Sequence, residues 1–197
     1  MDWTAIHYYD QLLTLKINSW HSPFTDKIWE FFSDIPVWIP LYALIIAFVI
    51  YRLGWKKGLV VIAAALLTFG FCDQFSNFIK ALTERLRPCN DPFMIENGLH
   101  ILEKGGKYGF FSAHAANAFG LATSTFTGLR ADKRLKYRGY AYGMYFWATM
   151  VAISRIFVGK HYLGDVMTGI AVGIAAGLMF ASLARIVISK WIDPSRA

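Results

Sequence analysis

Charge is scarce in this chain. Lysine, arginine, aspartate and glutamate make up 17% of its 197 residues, against about 25% in a typical soluble domain. Apolar residues reach 56% and mean hydropathy is +0.39. Such a composition excludes an ordinary soluble domain and points to an integral membrane protein. Cysteine is scarcer still, with only Cys72 and Cys89, too few for a disulfide framework. Cys72 lies inside an apolar run, so the pair is expected to stay unbridged, and neither belongs to a metal-binding spacing. No basic residue precedes Lys16, whereas a cleavable signal needs a basic start ahead of its apolar core. The apolar segments are therefore expected to do the membrane targeting themselves. The net charge of +7 does not argue for nucleic acid, because the cations gather in short loops between apolar runs. Internal repeats and low-complexity segments are absent too.

What is present is a series of apolar segments in one expected membrane domain over 1–197. Over 1–20, Trp3, Ile6, Tyr9, Leu13, Ile17 and Trp20 recur at helical spacing, with Asp2, Asp10, Lys16 and Asn18 elsewhere. This predicts an amphipathic helix lying in the membrane interface or packed on the bundle. Pro23 interrupts it, and a second short helix follows over 25–33, so 1–35 reads as an interfacial pair. Spans are expected at 36–51, 58–80, 112–129, 139–157 and 162–188, giving an all-α polytopic bundle of five spans, or six if the first helix crosses. Gly169, Gly173 and Gly177 form a small-residue stripe that lets helices approach closely. Packing within the bundle is the favoured use, with a homo-oligomer contact as the alternative.

The charges orient this bundle. Arg52, Lys56, Lys57, the five cations of the 130–138 loop, Arg185, Lys190 and Arg196 share one side. They are eleven of the twenty basic residues, set against only Asp132 and Asp193. By the positive-inside rule that side is cytoplasmic, and the 82–111 loop and the 154–165 stretch face outward.

Three polar groups then meet at the outer ends of the spans. Ser154, Arg155, His161 and Asp165 sit between two apolar segments, where charge is expensive and marks function. If the helix starts near Tyr162, Asp165 lies one turn from His161 and can hold the imidazole in one tautomer. Lys80 and Arg87 are seven residues apart, two turns if the helix runs on to Pro88. Ser112, Ala113 and His114 open the third span, with Ser112 as N-cap and the helix N-terminus as an anion site. Each group alone has a plain structural explanation: snorkelling cations, an ordinary cap, a structural His–Asp pair. Together they place Lys80, Arg87, Arg155, a helix N-terminus and two histidines at one depth. A divalent ion on His114, His161 and Asp165 is the rival reading, but three fixed cations would repel it and attract a phosphate. Lys160, beside His161, is read as a surface cation.

The order and spacing of these residues resemble the type 2 phosphatidic acid phosphatases. Lys80, Arg87 and Pro88 match the first part of that family's signature, and Ser154, Arg155, His161 and Asp165 match the third in full. Phe111-Ser112-Ala113-His114 matches the second in part, with Phe111 for Pro and Ala113 for Gly. The resemblance covers roughly residues 60–185. It implies an integral membrane lipid phosphatase in a bacterial inner membrane, with the site facing the periplasm or outside, a lipid phosphate as substrate and no cofactor or metal. It further implies His161 as nucleophile forming a phosphohistidine, Asp165 orienting it, and His114 as general acid. Lys80, Arg87, Ser112, Ala113 and Arg155 would hold the phosphoryl oxygens. Undecaprenyl pyrophosphate, phosphatidylglycerol phosphate, phosphatidic acid and lipid A phosphates are the candidate substrates. A lipid phosphotransferase with the same site and a non-catalytic lipid-binding or transport protein are the alternatives. A vanadium haloperoxidase has a similar pocket but is soluble, which the five apolar spans oppose.

Overall fold

The computed structural model describes residues 3–193, so Asp2 and Arg196, which entered the readings above, lie outside the described residues. The helices are α1 (Trp3–Asn18), α2 (Pro23–Ser33), α3 (Ile39–Thr83), α4 (Pro92–Glu96), α5 (Ala113–Leu129), α6 (Arg138–Phe157) and α7 (Leu163–Val187). Among the described residues there is no strand, only an isolated antiparallel bridge between Leu86 and Tyr108. Two segments, Pro36–Thr83 and Leu163–Ile192, are long and apolar enough to cross a membrane.

The first of these holds both spans expected over 36–51 and 58–80. The residues between them are helical rather than a loop, and the break is one residue, Gly54, at φ 74°. Only glycine adopts that conformation without strain. A Cβ on Gly58 would lie 3.0 Å from the Ile50 Cα. In a straight helix these residues would be ~12 Å apart, so α3 doubles back at Gly54 into two arms. A second difference concerns its end. The helix stops at Thr83, where Glu84 turns left-handed (φ 47°), well before Pro88. Arg87 therefore sits on extended backbone (φ −73°, ψ 154°), not on the helix that carries Lys80.

The centre of the bundle is α5 packed along α7 and the second arm of α3. α7 can come this close because its glycine stripe meets α5 backbone. A side chain on Gly173 would collide with the Ala116 carbonyl, and one on Gly169 would lie 2.5 Å from the Ser112 carbonyl oxygen. The stripe is thus used within the bundle. Gly173→Val is expected to lower stability by about 3 kcal/mol through overpacking. A melting temperature in detergent equal to wild type would contradict this contact.

The helix α1 is amphipathic, but its polar side faces the protein. Gln11, Thr14 and Asn18 are buried, while Ile6, Tyr9, Leu12 and Leu13 are exposed. The Asn18 amide donates to the carbonyls of His100, Ile156 and Phe157. α2 starts with a capping box between Ser22 and Thr25, and its Trp29 stacks on Phe157 with ring centroids 4.4 Å apart. Both short helices cover the end of the bundle that carries the 82–111 loop and the α6–α7 turn. The opposite end gathers the basic residues. There Arg52 and Arg134 pair with Asp132, and Lys57 pairs with Asp193. Tyr137 also donates to Asp132, at 2.6 Å. Together, and led by Arg134, these partners hold the Asp132 carboxyl well below the usual carboxylate range. Both cysteines are free and buried.

Candidate active site

The turn between α6 and α7 carries the His161 end of the candidate site. Gly159, at φ 81°, lets the chain reverse after Phe157, and α7 begins two residues past His161. His161 and Asp165 consequently lie one turn apart, and both are almost fully buried. His161 Nδ1 is 3.3 Å from Asp165 Oδ2. Its other nitrogen, Nε2, is 3.1 Å from Arg87 Nη1. A guanidinium can only donate, so Nε2 carries the lone pair and Nδ1 carries the hydrogen that Asp165 accepts. Burial, and then the charges of Arg87 and Arg155, lower the affinity of His161 for a second proton far below that of a free imidazole.

Asp165 is held from every side. Its Oδ2 accepts the Tyr162 N–H at 3.1 Å and its Oδ1 accepts Arg85 Nη1 at 2.6 Å. Arg85 also donates to Asp10 of α1 at 2.7 Å and stacks its guanidinium 4.2 Å above the Tyr162 ring. Two further free N–H groups at the start of α7 are bonded from α1, Leu163 by Thr14 and Gly164 by Asp10. A helix N-terminus needs such acceptors and favours carboxylates. Tyr162 and Gln11 both donate to Asp91.

Of the residues singled out from the sequence, Lys80, Arg87, Ala113, His114, Arg155 and His161 line one cavity of about 640 Å³. Asp165 lies behind His161. Ser112 is fully buried and is spent on structure: its Oγ accepts the Ala115 N–H at 3.4 Å and its N–H bonds the Asp165 carbonyl. The His114 ring faces the cavity with no hydrogen bond to a described residue. Arg155 is 2% exposed. Its Nη1 is engaged by Ser33 of α2, and its Nε is buried without a protein partner, a donor left for a ligand. Arg87 is fixed edgewise by donating Nε to the Tyr108 carbonyl at 3.0 Å.

Lys160 is not a surface cation, because it lines the cavity and pairs with Glu103. Burial alone would raise the Glu103 carboxyl, but the hydrogen bonds from Lys160 and Ser33 outweigh it and keep Glu103 ionised more readily than usual. Arg85 and Ser33 carry no expectation from the sequence, and Asp10 figures there only on the polar side of the first helix. Arg85 stands two residues before Arg87, the spacing that puts both on one side of an extended segment, and that alternation was the available signal.

A second, polar pocket under α2 shares Ser33, His114, Arg155 and Lys160 with this cavity and has Lys27, Glu30, Asp34 and Glu103 at its edge. The cavity itself extends between the two arms of α3 as an apolar trough lined by Tyr42, Ile46, Ile62, Leu66 and Phe69. A compact basic centre with an imidazole lone pair at its floor can receive an anionic group, and the apolar trough can receive hydrocarbon attached to it.

Known proteins share this sequence and shape. The PAP2 superfamily profile matches residues 58–188. A lipid A 4'-phosphatase of Bacteroides thetaiotaomicron is 35% identical over 179 residues, covering 89% of this chain and 77% of that protein. A lipid A 4'-phosphatase of Porphyromonas gingivalis is 29% identical over 185 residues, covering 93% and 76%. The crystal structure of the transmembrane PAP2-type phosphatidylglycerolphosphate phosphatase from Bacillus subtilis superposes with a TM-score of 0.73 at 20% identity, covering 93% of this chain and 88% of that one. LpxE of Aquifex aeolicus superposes at 0.62 and 21%, covering 86% and 93%. The profile spans well over half of the chain, so the protein belongs to the PAP2 superfamily and is a phosphatase of that family.

Proposed function

We propose that this protein is a multi-pass membrane lipid phosphatase working through a phosphohistidine at His161. The observation that carries the reading is the His161 ring, with its Nε2 lone pair facing the cavity at Arg87 and its Nδ1–H toward Asp165. In the first half-reaction Nε2 attacks phosphorus, the bond to the lipid oxygen breaks, and His114 protonates that oxygen. In the second, water attacks the phosphohistidine, its proton passes to His114, and phosphate leaves. Splitting a hard displacement this way is nucleophilic catalysis. Lys80, Arg87, Arg155 and Lys160 stabilise the charge on the transferring group, and general acid help adds about 10²–10⁴-fold. Ser112 and Ala113 contribute through the helix N-terminus they form.

The bundle fits a bilayer as one membrane domain. The two arms of α3 with α5, α6 and α7 make five crossings, and α1 and α2 lie at the outer interface with their exposed apolar side chains in lipid. The basic end is cytoplasmic by the positive-inside rule, so the cavity faces the periplasm of a bacterial inner membrane. The substrate is a lipid phosphate. Among the candidates, the relatives named lipid A 4'-phosphatase favour a lipid A type.

Phosphate release by the detergent-purified protein from a panel of these lipids tests the reading. Release is expected to persist in EDTA, because four cations at the site would repel a divalent ion, and to be blocked by vanadate. Loss in EDTA with recovery on adding magnesium would count against the site. The pH profile gives a second check. His161 must be neutral to attack, and its proton affinity is lowered. The acid limb of kcat/KM should therefore fall well below pH 6.5, the ordinary histidine value. An acid limb centred at or above that value would contradict His161 as the nucleophile.

A further inference from the structure

Asp73 lies in the second arm of α3, inside a segment apolar enough to cross a membrane. An ionisable residue at that depth is costly and marks a functional contact. No hydrogen bond or ion pair joins its carboxylate to another described residue, and it lines the same cavity as His161. Asn117 lines the cavity from α5, and its Oδ1 is buried without a partner. Leaving such an acceptor unbonded costs free energy that a ligand's donor recovers.

The register of the two helices places these residues together. Ser76 donates to the Phe111 carbonyl at 3.1 Å, Cys72 and Ala116 share one packing cluster, and the Thr68 methyl and Val61 face Gly120 and Gly128. In this antiparallel pairing Asp73 and Asn117 differ in depth by about two residues, or ~3 Å. Asn117 lies three residues past His114, which is ~4.5 Å deeper along the helix. Beyond them the trough is hydrocarbon: Leu66, Phe69, Leu121 and Val151. The cavity thus has three tiers, with cations above, two acceptors in the middle and apolar walls below.

Resting on the phosphatase reading above, we infer that Asp73 and Asn117 form a subsite for hydrogen-bond donors on the group that joins the phosphate to the acyl chains. The substrate class this selects is a phosphorylated glycolipid, whose sugar presents hydroxyl and amide N–H groups at that depth. Phosphatidic acid and polyprenyl phosphates carry ester or hydrocarbon there and offer no donor.

The test measures kcat/KM of the full-length protein in detergent on three probes: an acylated glucosamine disaccharide 4'-phosphate, phosphatidic acid and a polyprenyl pyrophosphate. Wild type is expected to prefer the glycolipid. Asp73→Leu and Asn117→Leu should each lower kcat/KM on it about 10-fold more than on phosphatidic acid, as for a lost buried hydrogen bond. Asp73→Asn keeps size and one acceptor and should fall between, which covers the case where the leucine variant does not fold. Equal losses on all probes, or a wild type that prefers the donor-free lipids, would overturn the subsite while leaving the phosphatase reading standing. Absence of release from every lipid by wild type would remove both.

Discussion

Replacing His161 by alanine is expected to slow phosphate release on the order of 10⁴–10⁶-fold, the range seen when a nucleophile or its orienting partner is removed. The size of the effect follows from the isolation of this ring. It presents a lone pair at Nε2 within reach of Arg87 and is fixed from behind by Asp165. Ser112 is turned into the α5 cap, and the His114 ring, also on the cavity wall, has no carboxylate among the described residues behind it to orient it. Labelled substrate quenched in alkali should trap phosphate on the wild-type protein, since a phosphoramidate survives base, and none on His161→Ala. Near-normal release by that variant, with an unchanged melting temperature, would remove the nucleophile from this account.

Asp165→Asn is expected to lower kcat by about 10³–10⁴-fold with a smaller change in KM, as when an orienting carboxylate becomes an amide. The amide cannot stabilise the imidazolium-like charge that grows on His161 as the N–P bond forms. It also presents a donor to Arg85 or to Tyr162 N–H, both of which donate to Asp165 now. Asparagine therefore flips or rotates, and the imidazole loses its tautomer. Breaking one partner out of a buried pair is destabilising by itself, about 3–5 kcal/mol, so the kinetic effect must be read on protein shown to be folded. A KM rise with kcat intact would assign Asp165 to substrate binding instead.

How much of this could be read from the residues depends on the range of the interaction. His161 and Asp165 are four apart, the one just ahead of α7 and the other in its first turn, and the i, i+4 spacing made them legible at once. The ends of α5, α6 and α7 were legible because each is a clean change between apolar and polar composition. Arg85 is different. Its partners Asp165 and Asp10 are 80 and 75 residues away, and pairing at that distance leaves no local pattern. The same holds for Ser33 on Arg155, 122 residues apart. The sequence at the double-back of α3 reads as a basic loop, because charge at 52–57 signals a boundary without saying how tightly the chain turns. A single glycine there does the work of a loop. Lys160 looked superfluous because the motif has no place for it, and only the position of Glu103 shows that it is held at the cavity wall.

The inverted amphipathicity of α1 has a practical consequence for anyone handling this protein. A helix whose polar side were turned to water could be trimmed or fused without touching the reaction. Here Asp10 closes the Arg85 bridge and caps Gly164, Thr14 caps Leu163, and Asn18 ties down the last turn of α6. Residues 3–18 are therefore scaffold for the Asp165 carboxylate rather than a detachable anchor. A shortened protein lacking them would still carry every residue of the family signature and would still be expected to lose its rate.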